Sequence, residues 1–105
     1  MASPRELVES PVEQGVDESI TWTVDVSNVG SSPTSPSVDV FATDDLATSV
    51  KSTVMPSGTP SVSGDVITLP ELTALTAGTN YRVEVKFTVG GGAPFEVYFI
   101  VKALR

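Results

Sequence analysis

Among the side chains able to do chemistry, the carboxylates are the most conspicuous. Asp17-Glu18 and Asp44-Asp45 are adjacent acid pairs. A carboxylate pair can hold a hard cation such as Ca²⁺, which takes about six to eight oxygens. It can also supply the acid and base of glycoside hydrolysis. Neither pair sits in an Asp-x-Asp-x-Asp-Gly frame. A glycosidase dyad needs a deep cleft with aromatic subsites, for which 105 residues with one Trp leave little material. Both pairs therefore read as solvated loop residues. The glycine run Gly90-Gly-Gly-Ala-Pro94 opens no helix and lacks the lysine and spacing of a phosphate cradle. The chain contains neither Cys nor His. That excludes disulfides, thiolate nucleophiles, zinc fingers and imidazole-based catalysis or metal ligation. The expectation is a protein that is not an enzyme and uses no cofactor and no metal.

Charge narrows the partners. Thirteen acids stand against six bases, for a net charge of −7. The bases (Arg5, Lys51, Arg82, Lys86, Lys102, Arg105) are scattered, whereas a phosphate-binding face needs them clustered. Neither nucleic acid nor an anionic membrane surface is expected as a partner. Nine of the acids and one base fall in residues 1–50, leaving four acids and five bases in residues 51–105. This asymmetry reads first as a device for solubility, with head-to-tail stacking of unlike faces as the sharper reading. No segment has the roughly 18 consecutive apolar residues of a membrane-spanning helix, and the first residues lack the basic and apolar regions of a secretory signal. A virion or the bacterial cytoplasm is the favoured location, with a cell-surface or secreted setting as the other.

What positions these residues is a set of strands. Residues 19–27 place Ile20, Trp22, Val24 and Val26 at every second position, and residues 81–88 do the same with Tyr81, Val83, Val85 and Phe87. Such alternation buries one face and wets the other, the habit of antiparallel sheets. Weaker strands are expected over 37–42, 48–55, 65–69 and 95–103, with an N-terminal strand near 6–10 or beyond Pro11. Turn chemistry separates them: Pro56-Ser-Gly-Thr-Pro, Ser63-Gly-Asp, Ala77-Gly and the 90–94 run. No window carries a sustained helical period, so at most one helical turn is expected, near 70–75. About seven short strands in this length predict an all-β, immunoglobulin-like antiparallel sandwich. Residues 1–12 read as a flexible N-terminal arm and 13–105 as a single β-sandwich domain.

Trp22 lies on the apolar face of its strand, which suits a core anchor better than a ligand platform. The approach to the later strand, Leu72-Thr-Ala-Leu75-Thr-Ala-Gly78-Thr79-Asn80-Tyr81, has the form of a tyrosine corner, in which the phenol bonds to backbone just upstream. Leu75, Gly78 and Tyr81 are thus structural candidates alongside Trp22. With Val83 and Val85, these residues resemble the fibronectin type III pattern within the immunoglobulin-like superfold. There is no Arg-Gly-Asp, so the resemblance implies the fold and not integrin adhesion. The chain as a whole, from "ITWTVDVS" through "SVSGDVITLPELTALTAGTNYRVEV" to "FEVYFIV", is similar to small proteins encoded among tailed-phage and prophage head–tail genes. That similarity implies a virion role.

The last strand carries the one hint of a partner. If Phe95, Val97, Phe99 and Val101 face the core, Tyr98 and Ile100 point outward together and form a candidate contact for another protein. The competing reading is a second face covered by the chain's own N-terminal arm. The functional expectation is a non-enzymatic structural or interaction protein of a phage or prophage virion, meeting copies of itself or neighbouring subunits. An extracellular adhesion or carbohydrate-associated module is the alternative.

Overall fold

A computed structural model describes residues 5–6, 11–27, 32–56, 58–89 and 92–105. Within it, strands β1 (Arg5–Glu6), β2 (Val12–Gly15), β3 (Thr23–Asp25), β4 (Thr34–Ala42) and β5 (Asp45–Ser49) precede one helical turn, α1 (Lys51–Val54). Strands β6 (Ser61–Ser63), β7 (Val66–Thr68), β8 (Asn80–Val89) and β9 (Ala93–Leu104) follow. They form two sheets. The larger runs β1-β9-β8-β4-β5, with β2 pairing β9 beyond β1 on the same edge, and the smaller runs β3-β7-β6. The protein is an all-β sandwich.

The long strands follow from their sequence. In β8 every second residue from Tyr81 to Phe87 is buried, and in β9 the same holds for Val97, Phe99, Val101 and Ala103. Their antiparallel register pairs Val83 with Phe99 and Val85 with Val97, so the two apolar sets share one face. Val38 and Val40 of β4 extend it, opposite Val85 and Val83. Val24, Ile67 and Leu69 close the core from the small-sheet side. Burying a Val, Leu or Phe side chain of this kind stabilises by about 1.5–3 kcal/mol each, which makes the facing apolar surfaces the main driving force of the fold.

Three local features depart from the sequence reading. The stretch 48–55 is not one strand. It divides after Ser49 into a turn of helix in which Val54 N–H donates to Val50 O at 3.1 Å and Met55 N–H to Lys51 O at 2.8 Å. Val54 and Met55 are both buried, and two adjacent inward side chains do not fit the two-residue period of a strand. Residues 70–75 do not form a helical turn. Leu72 instead exchanges both backbone hydrogen bonds with Ile20, and Thr73 N–H donates to Val54 O. Beyond the expected strands, β6 folds against β7 across a turn in which Gly64 has φ of 60°, a conformation glycine adopts freely.

The N-terminal stretch contributes two parallel pieces along β9. Arg5 and Glu6 pair with Val97 and Tyr98, and Val12 through Gly15 pair with Val101 through Leu104. The strand expected beyond Pro11 is β2; the alternative position at 6–10, like most of the arm assigned to 1–12, lies largely outside the described residues. These pairings bring the total to nine strands among the described residues, against about seven from the sequence.

Leu72 is fully buried beside Ile20, the residue it bonds ahead of β3, and next to Thr73, which bonds Val54 of α1. Leu72→Ala is expected to lower unfolding free energy by about 2–5 kcal/mol, while Leu46→Ala, at a position 50% exposed, should change it by less than about 0.5 kcal/mol. Urea denaturation of both variants checks the contrast.

Candidate interaction surface

The outer face of the large sheet is built from the residues that alternate with the core set. The pairing of β4, β8 and β9 sets them in rows: Phe41, Arg82 and Ile100 in one, Asp39, Glu84 and Tyr98 in the next. All six are half-buried. Arg82 stands at the centre. Its guanidinium carbon lies 3.8 Å from the centroid of the Tyr98 ring, and its Nε donates to Glu84 Oε2 at 2.8 Å. A guanidinium stacked on an aromatic face and held by a carboxylate has few conformations left to lose. At the border, Asp39 Oδ1 accepts from Val40 N–H and from the Ser49 hydroxyl, and Lys86 approaches Glu96 at 3.9 Å.

Tyr98 and Ile100 therefore share a face, with Phe41 and Arg82 completing the patch. Phe41 and Arg82 lie 16 to 59 positions before Tyr98 and Ile100 in the sequence, and only the β4-β8-β9 register unites them. Tyr, Arg and Phe are residue types that anchor protein interfaces, and a stack formed before binding reduces the ordering cost of association. Arg82 and Glu84 form an ion pair, and Tyr98 meets the guanidinium with its ring face.

The structural candidates occupy other places. Tyr81 is 4% exposed, and its phenol oxygen accepts the Thr76 N–H at 2.9 Å. Gly78, two residues beyond Thr76, has φ of 81° and donates its N–H to Ala103 O. No atom lies within 4 Å of where a side chain would start at Gly78, so conformation and not crowding favours glycine there. Leu75 is buried in the core beneath this turn. Trp22 lies half-buried at the margin of the core, its ring centroid 6.1 Å from that of Phe99 at an interplanar angle of 59°.

Gln14 is a residue the sequence reading did not single out. It is the one buried polar side chain among the described residues, 1% exposed. Its Oε1 accepts the Trp22 indole N–H at 2.8 Å, and its Nε2 donates to Leu72 O at 2.7 Å and Glu18 O at 3.1 Å. The available signal was its position between Val12 and Val16, in the inward-facing slot of a two-residue period.

The acid pairs serve turns. Glu18 Oε1 accepts the Gly15 N–H, Asp45 Oδ1 accepts the Ala47 N–H, and Asp44 sits in the tight connection where Ala42 pairs with Asp45. Among the described residues no three His, Cys, Asp or Glu side chains converge as metal ligands would. The glycine run lies between β8 and β9, where Val89 pairs with Ala93. Asp25 Oδ1 accepts the Ser27 backbone N–H at 2.9 Å. That bond, helped by the Ser27 hydroxyl and opposed weakly by desolvation, holds its carboxyl below the ordinary aspartate range.

Comparison with known protein families, curated proteins and solved structures finds no match to this chain.

Two outcomes follow from these contacts. Tyr81→Phe removes the acceptor of the part-buried Thr76 N–H bond and should cost about 0.5–1.5 kcal/mol, read from urea midpoints. Because Asp25 has a depressed pKa in the folded state, its stabilising contribution is present above the unfolded value of about 3.9 and is lost as pH falls through the lower folded value. The stability of the wild type relative to Asp25→Asn should accordingly shrink as pH is lowered from about 5 to about 2, as measured by thermal unfolding at a series of pH values.

Proposed function

We propose that this chain is a non-enzymatic structural and interaction domain, immunoglobulin-like and nearest in pattern to fibronectin type III, that serves in the head–tail region of a phage or prophage virion. The observation that carries the interaction reading is the patch of Phe41, Arg82, Tyr98 and Ile100, with Arg82 already stacked on Tyr98 and bonded to Glu84. The fold assignment draws support from strand order. A sheet ordered β3-β7-β6 facing one ordered β9-β8-β4-β5 is the arrangement of an immunoglobulin-type sandwich with one extra strand beside its third. The Tyr81 corner bond supports it further. The virion setting rests on the resemblance of the whole chain to small head–tail gene products.

In this reading the patch docks on a second copy of the chain or on an adjacent subunit of the particle. The half-buried aromatic and aliphatic groups supply the apolar area, and the Arg82–Glu84 pair sets orientation. Light scattering after size exclusion, over a concentration series, tests self-association. The wild type is expected to gain mass with concentration, and Tyr98→Ser/Ile100→Ser to remain monomeric with unchanged circular dichroism. Assemblies persisting unchanged in the double variant would place the contact elsewhere. For the virion setting, peptides of this chain should be found by mass spectrometry in density-purified tailed particles; their presence in cell lysate and absence from particles counts against it.

A further inference from the structure

The small sheet ends at β3, and the side of β3 turned away from β7 has no strand partner among the described residues. The bonding pattern identifies which backbone groups are left over. Ile20 exchanges bonds with Leu72, Trp22 O accepts from Leu69 N–H at 3.0 Å, and Val26 N–H donates to Asp65 O at 2.9 Å. The even-numbered residues thus spend their N–H and C=O groups on the β7 side. In an antiparallel pair the intervening residues turn theirs the other way. Thr21, Thr23 and Asp25 consequently present a ladder of donors and acceptors along the open margin.

Beside that ladder lies a groove of about 510 Å³, lined by Val12, Ile20 and Phe99 as well as by Trp22 and the three edge residues. The groove lies where β2 joins β9 and leaves β3 without a second strand partner among the described residues. We propose that the β3 edge is a second binding site, which accepts an extended peptide strand from a partner protein, with alternating apolar and basic side chains. Main-chain bonds to Thr21, Thr23 and Asp25 hold the peptide, its apolar side chains enter the groove against Trp22 and Phe99, and a Lys or Arg on its other face meets Asp25.

Charge selects this occupant over a second copy. Asp25 is exposed, and neither ion pair among the described residues involves it. The surrounding sequence is acidic, with nine acids and one base in residues 1–50. An acidic side chain on an open edge discourages pairing with another acidic chain and favours a basic one. The site is separate from the outer face of the large sheet, so its test is independent of the Tyr98 and Ile100 reading.

Trp22 is the only tryptophan and lines the groove, so its fluorescence reports occupancy directly. The probe is an alternating valine–lysine nonapeptide, with two controls: the same peptide N-methylated on the amides that would face β3, and a valine–glutamate analogue. The expected result is a saturable shift of Trp22 emission with the lysine peptide, slowed amide exchange at Thr21, Thr23 and Asp25, and no response to the methylated peptide. Asp25→Lys should weaken the lysine peptide by about threefold to tenfold and improve binding of the glutamate analogue. Thr23→Pro removes an N–H that faces away from β7, a place where an edge strand tolerates proline, and should abolish binding while the thermal midpoint stays close to wild type. Should that variant unfold, the Asp25→Lys and N-methyl arms decide. Absence of a response to the lysine peptide overturns the proposal. So does equal binding of the methylated peptide, or a Trp22 response to neutral oligosaccharides in its place.

Discussion

The side-chain amide of Gln14 is sealed from water, and a buried amide that loses its partners costs about 1–3 kcal/mol for each group left unmade. Its bonds reach the indole of Trp22, the carbonyl of Leu72 and the carbonyl of Glu18. Three parts of the chain are therefore fixed by one side chain: β2 on the margin of the large sheet, the run leading into β3, and the connection that follows β7. The facing valines supply most of the driving force, but valine packing is tolerant of slippage and an amide with directed bonds is not. Gln14 sets where β2 lies relative to Trp22, and that spacing opens the groove along β3.

The two surfaces considered for binding differ in kind because the two sheets end differently. The large sheet turns a broad pleated face to solvent, so what it offers is side chains: a stacked arginine, a tyrosine ring, a phenylalanine and an isoleucine. The small sheet ends in a margin where, among the described residues, the main chain of β3 has no second strand partner and side chains would do the selecting. A site of the first sort is specified by register between distant strands. One of the second sort is specified by the absence of a neighbour.

That difference explains how far the sequence could be read. Long strands with strict alternation, β8 and β9 above all, were legible because each residue's neighbours two places away share its environment. The outward position of Tyr98 and Ile100 was legible for the same reason. Phe41 and Arg82 as their companions were not, since pairing between β4 and β8 is a tertiary choice absent from either strand alone. The stretch 48–55 misled because Val50, Val54 and Met55 satisfy a strand in composition while burying on a helical spacing. Gln14 was obscured by its polarity: a lone amide in an apolar slot resembles a surface residue until its partners, one of them 58 positions away, are in place.

Parallel pairing of β2 with β9 has a mechanical consequence. The segment entering the domain and the segment leaving it run side by side in the same direction, joined from Val12–Val101 to Gly15–Leu104 and by Val16 N–H to Leu104 O. Tension applied along the polypeptide then slides the two strands past each other, and these rungs share the load together. A hairpin pulled apart at its open end breaks one rung at a time. Parallel register thus loads the β2–β9 margin in shear.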